Sequence, residues 1–127
     1  MIWLMLLGGP AQDQPINCES PMAQYEMNQC EAQDFARADA ELNRLWRDVI
    51  AGARAADREI NRDLDNQPPG EEVLRAAQRA WVTFRDAHCQ YQSFEARGGS
   101  MQPMLYEGCR ARLTEERIRQ LRPEPTE

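Results

Sequence analysis

Four cysteines, one histidine and a scatter of carboxylates are the residues here whose types could do chemistry. Cys18, Cys30, Cys89 and Cys109 are separated by 11, 58 and 19 residues. Zinc sites bring their ligands in close pairs such as C-x-x-C, and no such pair is present. An even number of cysteines in a short chain instead points to two disulfides. His88 is the chain's one histidine and stands beside Cys89. Neighbours on a helix point apart, so the two cannot act as a nucleophile and its base. A lone histidine on an inner stripe reads as a packed residue rather than a metal ligand. Glycosidase chemistry needs two placed carboxyl groups with separated pKa values. The acidic doublets Glu71-Glu72 and Glu115-Glu116 diverge on helices and do not provide them. The reading is of a non-enzyme with no metal and no cofactor.

Disulfides need an oxidising compartment, which places the chain in the periplasm or outside the cell. The amino terminus agrees. Residues 1–11, Met1 to Ala11, form the one uncharged apolar run, too short to span a bilayer and similar to the apolar part of a secretory signal. The run lacks the basic start that such signals carry. Residues 12–17 read as a polar tail, 18–122 as one domain and 123–127 as a second tail. The 127 residues suit a single core. Net charge is −6, which argues against nucleic acid and suits a cationic partner. All 15 basic residues are arginine.

The elements that position these residues are helices. Ser20-Pro21 reads as the start of a short helix running to about Cys30. From Ala32 to Leu64 an apolar stripe recurs at helical spacing through Phe35, Ala38, Leu42, Leu45, Val49, Ala53, Ala56, Ile60 and Leu64, widened by Trp46 and Ile50. Asn66-Gln-Pro-Pro-Gly70 stops it. Glu71 and Glu72 then open a helix whose stripe is Leu74, Ala77, Trp81, Phe84, His88 and Tyr91, with Val73, Ala80, Ala87 and Phe94 alongside. Gly98-Gly99 ends that helix, and Ser100 caps the next, which carries Met101, Leu105, Cys109, Leu113 and Leu121 and has a kink near Leu113. No segment alternates as a strand. The fold class is all-α: a small antiparallel bundle of one long helix and a helical hairpin, with a short helix at the start.

Hairpin geometry favours one pairing of the cysteines. Cys89 lies nine residues before Gly98 and Cys109 ten after Gly99, so both reach similar heights on antiparallel neighbours. Cys18 would then pair with Cys30. A straight helix from Pro21 to Cys30 would hold these two apart, so a bend is expected near Asn28-Gln29. Cys18–Cys89 with Cys30–Cys109, or the crossed version, remain alternatives. Asn43 and Gln78 flank the apolar stripes and either bond to each other across helices or lie exposed. Arg85 follows Trp81 by four residues and can lie over the indole or pair with a carboxylate.

Met27-Asn28-Gln29-Cys30, Asp39-Ala-Glu-Leu42-Asn43, Ala77-Gln78-Arg79-Ala80-Trp81, Phe84-Arg85-Asp86, Cys89, Gly98-Gly99-Ser100, Cys109 and Leu113-Thr114-x-x-Arg117 form an ordered pattern. In order and spacing it resembles the bacterial family named for the lysozyme inhibitor LprI, over roughly Cys18 to Leu121. The resemblance implies an exported, helical, cysteine-bridged domain whose partner is a protein. A cationic lysozyme is the leading candidate, and an envelope adaptor with another partner is the alternative. It implies no inhibitory residues. The turn Glu95, Arg97, Gly98, Gly99 and Ser100 is the expected contact, because an exposed loop on a stapled scaffold suits binding. Asn43, Gln78, Trp81 and Arg85 are expected to support the fold. No stable membrane insertion is expected.

Overall fold

Helical periodicity governs the whole architecture. The computed structural model describes residues 16–123 and contains three α-helices: α1 (Gln24–Arg58), α2 (Gly70–Ser93) and α3 (Gln102–Leu121). Among the described residues there is no strand. The expected leader, residues 1–11, lies outside the described residues, as does most of each tail. No described helix is long and apolar enough to cross a membrane.

The short first helix is not separate; it is the opening of α1. Neither Ser20 nor Pro21 starts it. Ala23 stands at the cap position without a side-chain bond, and Glu26 instead accepts from the Met22 amide at 3.4 Å. Nor does α1 break at Asn28-Gln29; it runs on unbroken as helix. The chain before it makes a turn, in which the Ser20 amide donates to the Asn17 carbonyl, and this swings Cys18 back against the helix. The Cys18–Cys30 bridge closes with Cα atoms 5.6 Å apart. Cys89–Cys109 closes likewise at 5.4 Å, so both favoured pairings hold and no cysteine is free.

The long stripe of α1 is inward as far as Ala53. Ala38, Leu42 and Ile50 are buried and meet Cys89, Cys109, Ala111 and Ile118 in the core. The helix ends at Arg58, so Ile60 and Leu64 miss the core and are exposed. The joint to α2 is made by side chains. Pro69 cannot cap α2, and Asp57 of α1 caps it from outside, accepting from the amides of Gly70 at 2.7 Å and Glu71 at 3.0 Å. Those backbone bonds hold the Asp57 carboxyl below its ordinary pKa. Glu71 accepts from Arg54 at 2.8 Å and from Arg75, which lower its pKa also.

The stripe expected on α2 is half wrong. Its buried residues are Arg85, Cys89 and Ser93, with Leu74, Gln78 and Trp81 half-buried beside them. Val73, Phe84 and Tyr91 lie on the opposite side, 52%, 56% and 74% exposed. The helix is apolar on two faces, and spacing alone merged them. On α3, Met101 is exposed and Ser100 is not the cap; Met101 holds that position. α3 continues as one helix through Leu113, with no restart at Thr114. Thr114, one residue on, is fully buried. α3 is the central helix, packed along α1 and against α2, whereas α1 and α2 meet less. Gly108 allows the close approach of α1, since a Cβ there would stand 3.1 Å from the Glu31 carboxylate. Burial first, then nearby Asp34, raises the Glu31 pKa against the opposing charge of Arg112.

Candidate protein-binding site

Arg85 enters the bundle as a charged side chain only 5% exposed. What surrounds it explains why it can be there. Its guanidinium lies 5.0 Å from the ring centres of both Trp81 on α2 and Phe35 on α1. Arg110 of α3 covers Phe35 at 3.8 Å and also Tyr106 at 4.9 Å. Arg117 stands 5.9 Å from Trp81. The side chains form an alternating ladder: Arg117, Trp81, Arg85, Phe35, Arg110, Tyr106. Each cation faces the negative face of a ring, and all three helices contribute.

The ladder's hydrogen bonds are satisfied as well. Asp86 Oδ1 accepts from Arg85 Nε at 2.9 Å and Arg110 Nε at 3.0 Å. Burial alone would raise the Asp86 pKa, but these two arginines together hold it low. Arg85 also donates to buried Thr114 Oγ1 at 3.4 Å and stands 3.9 Å from Asp39. Arg117 Nε donates to Gln78 Oε1 at 2.9 Å. Gln78 is therefore engaged by α3, while Asn43 is exposed on α1, and no Asn43–Gln78 bond forms. The expectation failed because Asn43 faces away from α2. Trp81 and Arg85 sit together at the ladder's centre. His88 stacks on Phe84, with centroids 5.1 Å apart.

One end of this scaffold carries the tip. After α2 a single 3-10 turn, Phe94–Ala96, leads to Gly98, whose φ of +78° favours glycine. The Gly99 amide donates to Ala96 O at 2.8 Å, and the Gln102 amide to Gly99 O at 3.2 Å. The Gln102 side chain locks the turn from inside: its Oε1 accepts from the Gly98 amide and its Nε2 donates to Ser93 Oγ. Asn28 of α1 adds a tether across the molecule, donating to the Ser100 carbonyl at 2.9 Å. Arg97 lies over Phe94 at 4.2 Å. Glu95, Arg97, Gly98, Gly99 and Ser100 are thus brought into one exposed turn. Beside it opens a cleft of about 590 Å³ lined by Gln90, Ser93, Gly98, Gly99, Gln102 and Tyr106.

The bridges flank this turn. Cys89–Cys109 ties the hairpin arms beneath it, and Cys30 stands two residues from the Asn28 tether. Arg110 and Gln102 have no part in the reading of the sequence; Phe35 enters it only as a stripe residue, Asn28 only as a pattern residue and expected bend, and Arg117 only as a pattern residue. Arg110 and Arg117 are a heptad apart on α3, a spacing that could have marked them as one inward stripe. Asn28 reaches Ser100 across 72 positions and left no local trace, whereas Gln102 reaches back only four and nine residues, to Gly98 and Ser93. No group of histidine, cysteine and carboxylate side chains among the described residues is placed to hold a metal. The arrangement supplies an exposed polar loop held by hydrogen bonds from Gln102 and Asn28.

Comparison with known proteins fits this geometry. The profile of the family described as lysozyme inhibitor LprI matches residues 17–121. A protein of Rhizobium meliloti (strain 1021), described as uncharacterized, is 45% identical over 113 residues, covering 88% of this chain and 81% of that protein. No solved structure matches. The chain belongs to the lysozyme inhibitor LprI family.

Proposed function

We propose that this chain is an exported, non-enzymatic domain of the bacterial envelope that binds and inhibits a lysozyme. Residues 1–11 serve as its leader, and 18–122 form the working domain. The observation that carries the reading is the family match over 17–121, falling on a scaffold stapled by two disulfides whose exposed turn is held by Gln102 and Asn28. A fixed turn loses little conformational freedom on binding, which is what a tight inhibitor needs. Net charge of −6 favours encounter with a basic muramidase and predicts slower association at high salt. Glu95 and Arg97 present charge at the turn, Gly98 and Gly99 let a partner approach the backbone, and Ser100 offers its hydroxyl.

The test is inhibition of several lysozyme types by the oxidised protein. Dose-dependent loss of muramidase activity is expected. Charge reversals Glu95→Arg and Arg97→Glu should weaken it, because both residues lie outside the core and leave the fold intact. Lysozymes left fully active at micromolar excess of inhibitor would end this reading. A stable partner from the periplasm that is not a muramidase would replace it with an adaptor role.

A further inference from the structure

Val73, Ala77, Ala80, Phe84, Ala87 and Tyr91 recur on α2 at alternating steps of four and three. That is the spacing of a helix–helix seam. All six are exposed, on the side of α2 away from Arg85, Cys89 and Ser93. The seam runs for about 27 Å at the rise of an α-helix. None of its residues is charged, in a chain where 28% are. A solvent-facing stripe of this length is normally polar.

We propose that this face pairs with the same face of a second copy, α2 against α2, running antiparallel about a two-fold axis. The seam's own order of sizes argues for it. Reversed about the height of Val82, the stripe sets Val73 against Tyr91 of the other copy, Ala77 against Ala87 and Ala80 against Phe84. Both aromatic residues meet a smaller partner, as close packing of facing helices requires. A parallel arrangement in register would stack Phe84 on Phe84 and Tyr91 on Tyr91. The rim is compatible too: Thr83, Gln90 and Gln92 carry no charge, and the exposed charges on the same flank, Glu72 and Arg79, are of opposite sign. Phe84 and Tyr91 supply most of the exposed apolar area, roughly 500 Å² per copy. Two copies would bury roughly 1,000 Å², the lower edge of a specific interface, so the pair is reversible. Pairing leaves the turns at 95–100 free, at opposite ends of the dimer and roughly 50 Å apart.

Sedimentation of the oxidised full chain over a concentration series tests this. A reversible shift from 14.6 kDa toward twice that mass is expected. Ala80→Glu should weaken the dimer at least tenfold while leaving helicity unchanged, since Ala80 is exposed. Mixing V73C and Y91C chains under mild oxidation should give the mixed cross-link in preference to like-with-like. A single monomeric species throughout, or a dimer indifferent to Ala80→Glu, would overturn the proposal. Predominant like-with-like cross-links would overturn the antiparallel arrangement. The inference does not rest on lysozyme as target: turn variants report on inhibition and Ala80→Glu on mass. If Ala80→Glu abolishes inhibition and the wild-type chain is monomeric, the face binds the target and self-pairing is refuted.

Discussion

Replacing Arg85 by alanine should cost a large share of the stability of this domain. Two ring contacts of a buried guanidinium together contribute about 2 kcal/mol. Removing the donor also strands the Thr114 hydroxyl, which is fully buried, at about 1–3 kcal/mol. Asp86 is not stranded, because Arg110 still donates to it. The void between Phe35 and Trp81 adds to the loss. The expected total is about 3–5 kcal/mol, similar to breaking a buried ion pair. For a domain of this size that lowers the melting temperature by about 12–20 °C. Urea unfolding of the oxidised protein, followed by far-UV circular dichroism, measures it directly. Two further variants separate the causes. Arg85→Met keeps volume and should cost less than alanine. Thr114→Val should destabilise the wild type yet be neutral or favourable beside Arg85→Ala, where the hydroxyl no longer has its donor. If Arg85→Ala changes stability by less than about 1 kcal/mol, or Thr114→Val is equally costly in both backgrounds, the ladder is not what holds Arg85 in the core.

Acid should loosen the joint of α1 and α2 first. Asp57 and Glu71, and Asp86 within the ladder, all have lowered pKa values in the fold. Their contribution is complete above the unfolded carboxylate range near about 4 and disappears as pH falls through the lower folded values. Glu31, with a raised pKa, works in the opposite sense. Asp57→Asn should flatten the acid limb of a stability–pH curve, and an unchanged limb would refute the capping account. Replacing both cysteines of either bridge by serine should cost about 3 kcal/mol in the chain-entropy model, from closed loops spanning 12 and 20 residues. Equilibrium unfolding checks this, and equal stability of the bridged and unbridged proteins would contradict it. Gly108→Ala should be nearly neutral, because the nearest atoms are the ends of the Glu31 and Arg112 side chains, which can swing away, and the helix gains about 1 kcal/mol in propensity. Gly108→Leu should lose about 1–3 kcal/mol by forcing α1 and α3 apart. Melting curves of the two variants would show whether that contact is tight.

Helix existence and cysteine pairing were legible because both rest on local rules, periodicity and heights on a hairpin; the end of α1 was not, since the helix stops at Arg58, short of Pro68-Pro69, and Gly70 already belongs to α2. What the sequence hid was direction. Leu74 and Phe84 are both apolar, but only Leu74 faces the bundle, because Arg85 and Ser93 take core positions that polar residues seldom hold. A charged residue becomes a core residue when rings enclose it: Trp81 stands four residues away on α2, but Phe35 comes from α1, fifty positions away. The turn at Gly98-Gly99 was plain from its glycines, but its locks at Asn28 and Gln102 were not. The N-terminal helix was misplaced for a smaller reason. Ser20-Pro21 has the composition of a helix start, yet the tight turn that lets Cys18 reach Cys30 occupies it.

The placement of α3 has a consequence for biogenesis. It is the last helix to be synthesised, yet it is the partner on which the other two chiefly rest. A nascent chain that stops before it owns two amphipathic rods with little to bury and a thiol at Cys89 lacking its mate. Productive collapse must therefore wait for the carboxyl-terminal stretch.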